Sequence, residues 1–280
     1  MMKEQPSITA WNELLELYKR FYSEEDTWVF RGQPGGWPLK TSLERACNGC
    51  KLEPDKVLAL EKRLIREFAR RFHFYSPMYS PILDDNLEWL ALMQHYGAPT
   101  RLLDWTYSFY VAAYFAFEKT GETGKHVIWA LNHDWVVTQT RDLLEKVDLV
   151  EVLRMYVDNR ESSAEAFSQL FMRDTPIPFV YPVNPFKLNE RLTIQKGLFL
   201  CPGDISKSFI ENLSALGNLS ANLIRIEIDK RIRSEALVYL DRVNMTSASL
   251  FPGLDGLARS LWTQVPLLSS VRLKLEEHEG

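Results

Sequence analysis

Cysteine is scarce: the 280-residue chain has three. So small and odd a number argues against a disulfide framework and suits a reducing cytosol. Cys47 and Cys50 form a C-x-x-C pair, but Cys201 is distant in sequence and the five His show no ligand spacing. Structural zinc ordinarily takes four ligands in paired clusters, so no metal is expected. No apolar run reaches the roughly 18 residues that span a bilayer. The opening MMKEQPSITAWNELL has no signal-peptide pattern, and the expectation is a cytoplasmic protein without membrane association. Positive charge is not in excess: 33 Lys and Arg against 37 Asp and Glu give a net charge of −4. That gives no overall electrostatic case for nucleic-acid binding, although a local basic cleft stays open. There is no Walker lysine loop, no G-x-G-x-x-G after a strand, no G-x-S-x-G elbow and no internal repeat.

What the chain has is apolar mass. Hydrophobic residues make up 46%, with eight Trp, eleven Tyr and fifteen Phe, enough for a large core. The elements predict one mixed α+β domain, helix-rich, with a small central sheet split by helical insertions. Its core runs from about 10 to 262, and the charged tail, 263–280, is expected to fray.

Trp11, Leu14, Leu15, Tyr18 and Tyr22 trace one face of a first helix. TWVFR reads as a short strand, and RGQPGGWPLKTSLER as loop, because its Gly and Pro disfavour regular structure. Glu53 to Phe74 reads as a helix with Pro54 in its first turn. Asn86 is expected to cap the next helix, which Gly97 and Pro99 end. An irregular turn then leads into FYVAAYFAF, a helix apolar nearly all round and therefore central. HVIWALN, GLFLC and LIRIEID read as strands, and PIPFVYPVNPF as a proline-broken edge strand. Asp142 to Asp158 and Ser163 to Met172 read as helices, with Ser162 and Glu165 at capping-box spacing. NERLTIQ reads as a short turn.

Three constellations carry chemistry. In VFRGQ, Arg31 at a strand end can aim its guanidinium into a cleft while Gly32 lets a ligand approach; arginine suits bidentate phosphate recognition. The turn His95 to Thr106 sets His95, Tyr96, Thr100, Arg101, Asp104, Trp105 and Thr106 between two core helices. His95 can act as acid or base or bond a ribose hydroxyl, Asp104 can orient Arg101 or Arg31, and Tyr96 and Trp105 can stack on a base. In R-L-T-I-Q-K-G-L-F, Arg191 and Gln195 share one helical face.

These motifs in this order resemble the FRG domain family. Phe30, Arg31, Gly32 and Gln33 carry its signature. PLKTSLER, the MQHYGAPTRLLDWT block with its following helix, the R-x-x-x-Q-x-G-x-F segment and LFPGLDGLA extend the resemblance over about residues 10 to 260. More loosely, an aromatic-Arg-Gly at the end of an early strand looks like the first motif of the ADP-ribosyltransferase superfamily. That resemblance implies NAD as substrate, with Arg31, His95 and Gln195 in catalytic positions. Arg31, Gly32, Gln33, Tyr96, Thr100, Arg101 and Trp105 would contact the dinucleotide. Gln195 stands where such enzymes often carry Glu. The implied protein is a transferase, toxin-like or an antiphage effector, with a nucleic-acid or protein acceptor and a neutralising or regulatory protein partner. A non-catalytic nucleotide- or phosphate-binding module and a metal-independent nuclease using Arg31, His95 and Arg101 are the other readings.

Overall fold

Side-chain alternation along the strands divides the core into two layers. In this computed structural model, residues 7–23, 25–35, 37–75, 85–119, 125–159, 161–186 and 190–262 are described. Their strands are β1 (Trp28–Pro34), β2 (Leu103–Thr106), β3 (Lys125–Asn132), β4 (Val180–Val183), β5 (Gly197–Pro202) and β6 (Leu223–Asp229). They form one sheet in the order β4-β5-β2-β1-β3-β6, and each neighbouring pair in it is antiparallel. Val29, Val127, Trp129 and Leu131 point to one face; Trp28, Phe30, Ile128 and Ala130 point to the other, as the two-residue period of a strand requires. The first face is covered by helices Val57–Phe72, Asn86–His95, His133–Glu145, Val150–Asp158 and Ser163–Phe171. Helices Trp11–Ser23, Phe109–Phe117 and Arg233–Arg242 cover the second. The class is mixed α+β.

The apolar helix Phe109–Phe117 is central, as its sequence predicts. Phe109, Val111, Ala112, Ala113, Tyr114, Ala116 and Phe117 are buried, and Ser108 caps the helix by accepting from the Val111 N–H. Small residues let it lie against β1. A Cβ at Gly32 would stand 1.7 Å from the Ala112 carbonyl oxygen, so this glycine admits a helix backbone, not a ligand.

Several expectations are corrected. The first helix buries Trp11, Leu14, Leu17 and Phe21, whereas Tyr22 is 81% exposed. RGQP is strand, not loop, because β3 pairs with β1 as far as Pro34. Ser42–Cys50 is a helix, capped by Thr41 accepting from the Glu44 N–H. The cap of Asn86–His95 is Asp85, not Asn86. The turn before the central helix contains β2, with Trp105 buried and Asp104 turned outward. The helix expected from Asp142 starts at His133, where Asn132 caps it, and is broken before Val150 by Asp148 at φ 56°. Ser162 makes no side-chain cap bond. NERLTIQ includes a short helix, Glu190–Ile194. The tail 263–280 lies outside the described residues.

Candidate functional site: a two-arginine cleft

The sheet opens at Arg31. β1 pairs with β3 from Trp28 to Pro34 but meets β2 only at Phe30–Thr106, since β2 turns to pair with β5. Beside this gap is a cavity of about 210 Å³ lined by Arg31, Gly32, Asp104, Trp105, Thr106, Phe115, Arg191 and Gln195 among others. All three motifs reach it.

Arg31 is held but not saturated. Its Nη1 donates to the Asp104 carbonyl at 2.6 Å and lies 3.9 Å from the Asp104 carboxylate. Its Nε is buried without an acceptor. The side chain is 20% exposed. Burial lowers its pKa, Asp104 works against that, and Arg45 adds to the lowering. An arginine stays charged through such a shift. Asp104 in turn accepts from Gln94 Nε2 at 2.7 Å, and Gln94 accepts from Thr100 Oγ1 at 2.5 Å. Thr100 is anchored by its N–H to Ser42 Oγ at 2.9 Å. Buried Thr100 therefore positions Asp104 through Gln94.

Arg191 forms the opposite side. It is half-buried, and its guanidinium lies 4.4 Å from the centroid of the Phe251 ring, a cation–π contact that fixes it. It forms no ion pair among the described residues. Its pKa is lowered by burial; Asp104 and Glu118 raise it and Arg259 lowers it. Arg259 lies over the same ring at 5.3 Å.

The expected residues separate into distinct groups. Arg31, Gly32, Trp105 and Gln195 line the cleft. Trp105 is a core residue, 3% exposed, so base stacking on its face is not available. Gln195 is buried; its side-chain amide donates to the Leu250 carbonyl at 3.0 Å, and its backbone carbonyl accepts from Thr106 Oγ1 at 2.7 Å. It locks the floor of the cleft. His95 is exposed at the end of its helix, against the Tyr96 ring. Its pKa is lowered by partial burial and by the charge of Arg191, which puts it within electrostatic range of the cleft although it does not line it. Tyr96 is 65% exposed and borders a separate apolar groove. Gln33 is buried and donates to the Trp37 carbonyl, bracing a turn.

Arg101 is a correction. It is 0% exposed and embraces Glu61, also 0% exposed, through Nε at 2.8 and 3.0 Å and through Nη2. Its Nη1 donates to the Phe171 carbonyl at 2.6 Å. Burial alone would lower its pKa, but the Glu61 carboxylate outweighs this and raises it. No ligand can reach this guanidinium. Asp104, expected beside Arg101 or Arg31, belongs to Arg31.

Residues 26–125 match the family model of the FRG domain. Over that segment the chain is similar to the FRG domain family. Comparisons with curated proteins and with solved structures give no match. The matched segment of the FRG domain contains Arg31, Gly32, the Thr100–Gln94–Asp104 relay and the central helix; Arg191 and Gln195 lie beyond it. Sequence reading missed Arg191 as a cleft residue, although its i, i+4 spacing to Gln195 was the available signal.

Proposed function

We propose that this two-arginine cleft binds the phosphate-bearing part of a nucleotide, with NAD as the first candidate. The carrying observation is that Arg31 and Arg191, 160 positions apart in sequence, reach one cavity, and that Arg31 keeps a buried N–H without an acceptor. A guanidinium fork binds phosphate oxygens in parallel pairs. The cavity of about 210 Å³ is smaller than the roughly 300–1,000 Å³ of pockets that enclose whole ligands. It suits a pyrophosphate with the rest of the nucleotide extending outward.

A second reading, NAD-dependent ADP-ribosyl transfer, is favoured by Asp104. This carboxylate lines the cleft and its side chain is 56% exposed. Departure of nicotinamide leaves positive charge on the ribose, and a fixed carboxylate would stabilise it. Gln195 cannot do this, being neutral and bound to backbone. In that reading the acceptor is a nucleic acid or a protein, the protein is a toxin or antiphage effector, and it acts in the cytoplasm under a neutralising partner. The nuclease reading has no support in the geometry, because it needed Arg101 beside Arg31.

Incubation with NAD and measurement of released nicotinamide separates the readings. Binding without release, lost in Arg31→Lys, supports the module. Release that falls in Asp104→Asn supports the transferase. NAD and ADP-ribose that fail to bind leave neither standing.

A further inference from the structure

A second arginine has idle donors elsewhere, two residues beyond the Phe171 carbonyl that Arg101 bonds. Arg173 follows helix Ser163–Phe171. Among the described residues its Nε and Nη1 are buried with no acceptor, and its Nη2 reaches Thr175 Oγ1 alone, at 3.5 Å. It borders a cavity of about 600 Å³, whose walls include Leu58, Phe171, Pro176 and Ile205. That volume lies within the range of small-molecule pockets.

The walls are built, not incidental. Arg101 bonds the Phe171 carbonyl at 2.6 Å and the Pro202 carbonyl at 3.5 Å while holding Glu61 on helix Val57–Phe72. One buried guanidinium thus ties together the three segments that surround the cavity. The local carboxylates are already engaged. Asp204 accepts from the Ser206 N–H at 3.0 Å and Oγ at 2.5 Å and lies 3.6 Å from Lys207. Asp174 pairs with Lys62 at 3.2 Å. Neither reaches Arg173. A buried donor without an acceptor is costly, and a native chain seldom leaves two on one side chain.

We propose that this cavity is a binding site for a small organic carboxylate with an apolar body. The two idle N–H groups of Arg173 match the two oxygens of a carboxylate. The apolar walls take the body. A dianionic phosphate is disfavoured, because three carboxylates, Asp55, Asp174 and Asp204, line the cavity against two cations, Arg173 and Lys62. This site is independent of the cleft at Arg31.

The test uses the full chain with benzoate and hexanoate as probes, benzamide as the uncharged control and inorganic phosphate as the dianion, read by calorimetric titration. At least one of the two carboxylates should bind saturably at millimolar concentration, with benzamide and phosphate weaker by about tenfold or more. Arg173→Met should abolish that binding, and Arg173→Lys should weaken it. A second readout needs no ligand: thermal melting of Arg173→Met without additive should equal or exceed that of the native chain, because the change removes two buried donors without acceptors. The proposal is overturned by absence of saturable carboxylate binding, by benzamide binding as well as benzoate, by binding that survives Arg173→Met, or by a clear drop in melting temperature of Arg173→Met without ligand.

Discussion

Arg31 and Arg101 stand in motifs of similar appearance, yet their surroundings give them opposite work. Arg101 is enclosed: Glu61 takes three of its N–H contacts, and backbone carbonyls take others. Arg31 rests on a carbonyl and a half-exposed carboxylate, with its Nε unsatisfied, at the edge of a cavity. What separates a saturated arginine from one with donors to spare is the number of acceptors the protein supplies, not the residue or its motif. A guanidinium whose donors are all met in the fold has nothing left for a ligand.

This contrast breaks most visibly at the ion pair. Glu61→Ala or Arg101→Ala should cost about 3–5 kcal/mol, because each leaves a buried charge alone. Urea unfolding measures this. The double change Glu61→Leu with Arg101→Met should recover most of the loss. A single change costing no more than a surface ion pair would place Arg101 outside the core.

Gly32→Ala should come next, at about 1–3 kcal/mol or more, because the new methyl meets the Ala112 carbonyl. A well-folded Gly32→Ala chain with native melting temperature would mean that the central helix can move away from β1.

Arg31→Lys should cost less than about 1.5 kcal/mol of stability, the scale of its one neutral-acceptor hydrogen bond. Arg101→Lys should cost several times more. Equal losses at the two positions would erase the distinction drawn between them.

The smallest effect is in pH. His126 is 1% exposed on β3; burial and the charge of Arg233 lower its pKa, and a hydrogen bond with the Ala116 backbone works the other way. The unfolded chain then binds a proton more readily than the folded one. Stability should be full above the ordinary histidine value of 6.5 and fall as pH drops below it toward the folded value. His126→Phe should flatten that slope in urea unfolding series between neutral and mildly acidic pH, and an unchanged slope would assign it to other groups.

The sequence made the layers legible because the signals were periodic. FYVAAYFAF has no polar face, and HVIWALN and LIRIEID are rich in β-branched and aromatic residues, so their burial followed. β2 escaped because LDWT is four residues long and its alternation is too short to stand out from a turn. The helix Ser42–Cys50 was masked by the glycines and prolines before it, although Thr41 and Glu44 carry the spacing of a capping pair. Arg101 was misplaced because its partner lies 40 residues earlier. Glu61 does leave a trace: it falls between Val57 and Ile65 on the buried stripe of its helix. A carboxylate on an apolar stripe calls for a buried cation, and Arg101 answers it. The convergence of Arg31 with Gln195 was expected from the motif order, whereas the seat of Arg191 on Phe251 depends on tertiary packing that no local pattern encodes.

The proposed function requires that the Arg31–Arg191 cleft, and not Arg101, hold a nucleotide phosphate. Calorimetric titration of ADP-ribose into the native chain, Arg31→Lys and Arg191→Lys tests it directly. Binding to the native chain should be saturable, and each variant should lose about 1.5–3 kcal/mol, the range for a charge-assisted hydrogen bond, with native unfolding curves. Undiminished affinity in both folded variants would contradict it.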